Sequence, residues 1–149
     1  MQTRFKVSWF TKSTHPLFKQ NIPATLNTKY GADIILGGHP HALAPMKQDK
    51  DGFIIYSQGN FFSGQGQMQT RLGGILSLDI EKTDDGVKVA AGEFLPTYNE
   101  GDYNSGGYKT VPLMKSSLDV ATKETQFNFV SDLMATYQSN VKVVENLSH

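Results

Sequence analysis

Hydrophobic and polar positions divide the chain into short apolar runs separated by glycine- and proline-bearing turns. Residues 5–10 alternate loosely and predict a strand. Thr14-His15-Pro16 follows as a helix start, because proline near the first helical position gives up a donor that has no partner there anyway. Leu17, Phe18, Ile22, Leu26 and Tyr30 recur mostly four apart and predict a helix face, which Pro23 would kink. Gly31 suits the end of that helix. Residues 32–36 form an aliphatic run that stops at two glycines, the pattern of a buried strand entering a tight turn. Strand, helix and strand make a β-α-β unit, whose loop chemistry collects at the carboxyl ends of the strands.

The second half has a different rhythm. Asp49-Lys50-Asp51-Gly52 reads as a turn and residues 53–57 as a strand. Residues 59–74, rich in Gly and Gln, predict a long loop. Residues 75–81 alternate as a strand, Thr83-Asp84-Asp85-Gly86 predicts a hairpin turn, and residues 87–90 return. Residues 93–98 continue as a strand into a polar loop over 99–107. Val111-Pro112-Leu113 reads as an extended link. Ser116, Ser117 or Asp119 then caps a helix whose stripe is Phe127, Val130, Leu133, Met134 and Tyr137. Tyr56 and Phe61 read as core aromatics and Asp33 as a strand-entry residue. The predicted class is α/β (α+β): one β-α-β unit, a β-meander and a C-terminal helix. There is no internal repeat.

Composition narrows the picture. A chain of 149 residues is read as a single domain, with residues 1–113 as its core and 114–149 as a helical extension. Fourteen basic residues balance fourteen acidic ones, and no run of like charge marks a nucleic-acid or membrane face. The absence of cysteine excludes disulfides, thiolate metal sites and cysteine nucleophiles. No apolar stretch reaches the roughly 18 residues of a membrane span, and the first ten residues lack the apolar segment and cleavage site of a signal peptide.

Candidate chemistry concentrates in Gly37-Gly38-His39-Pro40-His41, directly after the second strand. In extended backbone, residues two apart point the same way, so His39 and His41 are expected to aim two imidazoles at one point. Imidazole is the commonest metal-ligating side chain, and such a pair is half of a metal site. The other reading is that both are turn residues bonding backbone carbonyls. Asn60 would hydrogen-bond a phosphate-like or carboxylate ligand beside the histidines, or close a left-handed turn. Arg71 would meet an anionic substrate, or stand solvated.

Taken together, Gly31-Ala32-Asp33, Gly38-His39-Pro40-His41 and Tyr56-Ser57-Gln58-Gly59-Asn60-Phe61 resemble the bacterial capsule-synthesis family of the CapA/PgsA type, associated with poly-γ-glutamate production. That family is similar in fold to calcineurin-like metallophosphatases. Pro16 and Gln20 fit a further family segment, and Trp9 falls near its tryptophan, with Ser8 and Phe10 where the family carries His and Gly. The resemblance implies the C-terminal half of a metallophosphatase-like α/β/β/α sandwich, because the family's aspartate and Asn-His ligand motifs come before the histidine pair. It implies a divalent metal (Zn, Mn or Fe) held in part by His39 and His41, in a site incomplete within this chain. It also implies an anionic cell-surface polymer such as poly-γ-glutamate as substrate or partner, bound through Asn60 and Arg71. The same resemblance implies an extracytoplasmic location with a membrane anchor supplied upstream or by a partner. The alternative is a truncated, non-catalytic binding or assembly module of the same family. Half a sandwich leaves a sheet edge or apolar face, so a homodimer is expected.

Overall fold

A computed structural model describes residues 7–10, 31–50, 52–84, 86–102, 104 and 106–148. The predicted helix after the first strand, with Pro16, Gln20 and Pro23, lies outside the described residues. Four strands build the first sheet: β1 (Val7–Phe10), β2 (Ile34–Gly37), β3 (Leu43–Asp49) and β4 (Gly52–Gln58), in the order β1-β2-β4-β3. β1 and β2 are parallel, with Trp9 opposite Leu36, as a β-α-β unit requires. β4 is parallel to β2, and β3 returns antiparallel along the other edge of β4.

β3 escapes the sequence reading because Pro45 lies in its middle. A proline cannot donate to a ladder, yet an edge strand has one side free, and β3 is an edge strand.

The second sheet is the meander. It contains β5 (Leu72–Thr83), β6 (Gly86–Asp102), β7 (Gly106–Pro112) and β8 (Val141–Val143). β5 pairs antiparallel along almost the whole of β6. β7 and β8 share the other side of β6, β7 antiparallel over 97–102 and β8 parallel over 92–94. The polar stretch 99–107, expected as a loop, is instead the tip of the β6–β7 hairpin, with Glu100 opposite Lys109 and Asp102 opposite Gly106. Asn99 and Glu100 find cross-strand and loop partners, so composition alone concealed the strands. An extra residue at Ala90 shifts the β5–β6 register, which returns Val89 to the face of Phe94 although five positions separate them.

A short helix α1 (Met68–Arg71) interrupts the predicted 59–74 loop, and β5 begins before its two glycines. A 3-10 turn at Leu113–Lys115 leads to α2 (Val120–Met134). Of the three candidate caps, Asp119 is the one used: its carboxylate accepts from the Thr122 amide at 2.9 Å. α2 ends at Met134, so Tyr137 lies beyond the helix and is exposed, with its ring 6.3 Å from that of Tyr56.

The main core lies between the two sheets and α2. Ile34, Met46, Phe53 and Ile55 of the first sheet meet Leu72, Phe94 and Tyr98 of the second and Val130 and Met134 of α2. On the opposite face of the first sheet, Ala32, Ile35 and Ile54 form a smaller cluster with Tyr56 against it. Two polar fasteners hold the parts together. Gln48 of β3 donates to the Val89 carbonyl at 2.7 Å and accepts from the Asn140 amide at 3.2 Å. Glu100, nearly buried, pairs with Lys109 at 3.0 Å and accepts from the Ser117 amide, which pins the segment before α2 to β6. These contacts, led by Lys109, hold the Glu100 carboxyl below its ordinary pKa of 4.5.

Candidate functional site

β2 delivers the histidine pair to the carboxyl end of the parallel strands. The expected extended geometry does not hold. β2 stops at Gly37, and both His39 (φ 94°) and His41 (φ 55°) take left-handed backbone conformations. Two positive-φ residues flanking Pro40 make a coiled turn, so the period-two argument for convergent imidazoles fails here. Non-glycine residues in this region are strained by about 1–3 kcal/mol each, and such strain clusters at functional positions. Both side chains are exposed.

The turn is anchored by Asn60, which is only 9% exposed. His41 Nδ1 lies 2.9 Å from Asn60 Oδ1. Asn60 Nδ2 donates to Gln65 Oε1 and to the Thr70 carbonyl, each at 2.8 Å, with the His41 carbonyl farther off at 3.4 Å. The Asn60 amide donates to the Leu72 carbonyl at 3.1 Å. Two glycines permit this close approach. Gly59 has φ 68°, and a side chain on it would strike the Leu72 carbonyl at 2.4 Å. A Cβ on Gly73 would lie 2.2 Å from the Asn60 carbonyl oxygen.

A second asparagine, which the sequence reading missed, holds the loop from below. Asn99 of β6 is 2% exposed. Its Nδ2 donates to the Asn60 carbonyl at 2.8 Å and the Arg71 carbonyl at 3.1 Å. Its Oδ1 accepts from the Ser63 amide at 3.2 Å and from Thr110 Oγ1 at 3.1 Å. Three of the four hydrogen bonds of that amide go to the loop over 60–71 and the fourth to Thr110 of β7. Lying in a stretch read as solvated loop, Asn99 carried no motif that could have singled it out.

Arg71 closes the arrangement. Its Nη1 donates to the Asn99 carbonyl at 3.2 Å, and its guanidinium lies 5.9 Å from the centre of the Tyr98 ring. Neither contact supplies a counter-charge. Phe61, expected in the core, is 58% exposed and its neighbour Phe62 is 66% exposed. Asn60 turns inward at this point, and the chain after it runs over the surface. The structure thus joins His41, Asn60 and Arg71 through one hydrogen-bonded loop, and leaves His39 at its open rim. Among the described residues, no group of three or more His, Asp or Glu side chains is placed to hold a metal ion.

Residues 11–65 match the family described as "Bacterial capsule synthesis protein PGA_cap". The chain is 41% identical over 56 residues to the "PGA biosynthesis protein CapA" of Bacillus subtilis (strain 168). It is 43% identical over 56 residues to the "Capsule biosynthesis protein CapA" of Bacillus anthracis. Each match takes in 38% of this chain and 15% and 14% of the two relatives, so it spans about one seventh of their length. Over this segment, somewhat more than a third of the chain, the sequence is similar to the bacterial capsule-synthesis family of the CapA type. The family match includes His39, His41, Asn60 and Gln65 and stops short of Thr70, Arg71 and Asn99.

Proposed function

We propose that His39 and His41 are two of the donors of a divalent-metal site, zinc, manganese or iron, in a capsule-synthesis domain that acts on an anionic cell-surface polymer such as poly-γ-glutamate. The observation that carries this reading is the turn itself: two strained, exposed histidines at the carboxyl edge of a parallel sheet, one of them held by a buried asparagine. Neutral imidazoles suit such ions, and ligating histidines characteristically engage their second ring nitrogen with a protein partner. The remaining donors would come from outside the described residues. A bound metal would polarise the scissile group and supply a hydroxide nucleophile.

The chain's own residues have separate tasks in this reading. Arg71, held against Tyr98 and the Asn99 carbonyl with no carboxylate partner among the described residues, offers its remaining N–H groups to a polymer carboxylate. Asn60 serves the site through His41. Among the described residues, no helix is long and apolar enough to cross a membrane, and attachment at the cell surface would come through partners or an anchor elsewhere.

The test is calorimetric titration of the full chain with Zn²⁺ and Mn²⁺, beside a His39→Ala/His41→Ala variant. Saturable binding that the variant loses supports the proposal. Equal binding by both, or none by either, refutes the metal site. Retained poly-γ-glutamate binding in the latter case, lost in Arg71→Ala, would establish the non-catalytic assembly module instead.

A further inference from the structure

The hydrogen bonds around Asn60 decide more than the position of His41: they decide which nitrogen of its ring carries the proton. The Thr70 carbonyl oxygen, 2.8 Å from Asn60 Nδ2, can only accept. The side-chain amide must therefore point its NH₂ at Thr70, and Gln65 Oε1 takes the second proton at 2.8 Å. Rotating the amide by half a turn would set Oδ1 against the Thr70 carbonyl, two acceptors face to face at the depth of a nearly buried residue. With the amide so fixed, Oδ1 is the atom that faces His41 Nδ1 at 2.9 Å, and an amide oxygen can only accept. A hydrogen bond at that distance requires the proton on Nδ1.

We infer that Asn60 is a positioning residue that holds neutral His41 in its Nδ1–H form and so presents the Nε2 lone pair outward. The Thr70 carbonyl acts as the reference that cannot reverse, and Asn99 reinforces the arrangement by gripping the Asn60 carbonyl at 2.8 Å. His41 is exposed, so Nε2 is open to a metal ion or to an acidic proton of a ligand. An unconstrained imidazole prefers the opposite tautomer, with the proton on Nε2 and no lone pair there to offer. The tautomer assignment stands on the hydrogen bonds alone; its use for metal binding rests on the function proposed above.

Long-range proton–nitrogen NMR spectra of the ¹⁵N-histidine-labelled full chain, recorded above the histidine titration range, test it. The expected spectrum shows His41 with a pyrrole-type Nδ1 and a pyridine-type Nε2. Asn60→Ala removes the acceptor and should shift His41 toward the Nε2–H form while the backbone amide spectrum stays dispersed. A pyrrole-type Nε2 in the unaltered chain overturns the proposal, and so does an unchanged signature in folded Asn60→Ala. The unaltered chain decides by itself if Asn60→Ala does not fold. Zinc titration of the same samples separates the two claims: roughly 10- to 100-fold weaker binding in Asn60→Ala is expected of an outer partner of a ligand. The Nδ1–H signature in a chain that binds no zinc supports the tautomer and refutes the metal reading alone.

Discussion

At the scale of single residues, the informative positions are those whose conformation their chemistry does not favour. His39 at φ 94° occupies a region that glycine enters freely and other residues enter at a cost. Two substitutions separate the ring from the backbone. His39→Gly should be more stable than His39→Ala by about 1 kcal/mol in urea unfolding, since alanine keeps the Cβ that causes the strain. Equal midpoints would mean that the turn carries no strain. The histidine pair was legible as a motif because residue types and spacing stand in the sequence. Its geometry was not, because the left-handed turn is imposed by the loop it joins. For Asn60 the reading as a left-handed turn residue does not hold, because the positive φ at that point belongs to Gly59; Asn60 instead lies against His41. Asn99 was invisible, because a buried polar hub looks the same in sequence as a solvated asparagine.

At the scale of elements, strands were legible where alternation or aliphatic runs marked them, as in β2, β4 and β5. They were missed where local chemistry argued against them. Pro45 hid β3, the polar tip of the β6–β7 hairpin read as loop, and β8 is only three residues long. The glycine-rich segment was read as a loop, but three of its glycines, Gly59, Gly73 and Gly74, are points of close contact. A methyl group on Gly73 would fall inside contact distance of the Asn60 carbonyl, where only backbone could yield. Gly73→Ala is therefore expected to destabilise the fold by about 1–3 kcal/mol, by the usual cost of overpacking. It should also perturb the His41 ring signals, and an unperturbed His41 would show that the β5 start and the histidine turn are not joined as described. Gly66, with open space around it, is the control.

At the scale of the molecule, the described part of the family segment is fastened to the second sheet. The segment that matches the capsule-synthesis family ends at residue 65, and the loop it carries is fastened by residues beyond that limit. Glu100 fastens the far side, joining β6 to β7 and to the segment before α2. Its pKa is lowered in the folded chain, so its ionised form favours folding. That contribution is present above the ordinary value of 4.5 and is lost as pH falls below it through the folded value. Urea midpoints measured downward from pH 6 should fall more shallowly below pH 4.5 in Glu100→Gln than in the unaltered chain. Parallel profiles would remove Glu100 from the account. Asp119, whose hydrogen bonds with Thr122 also lower its pKa, acts in the same direction and is present in both chains.

The central claim is that the histidine turn binds a metal through imidazole nitrogen. X-ray absorption at the zinc edge of the zinc-loaded full chain tests it most directly. The account predicts imidazole nitrogens at about 2.0–2.1 Å, two of which disappear together in His39→Ala/His41→Ala. A coordination shell of oxygen alone, or one the double variant leaves unchanged, would contradict it.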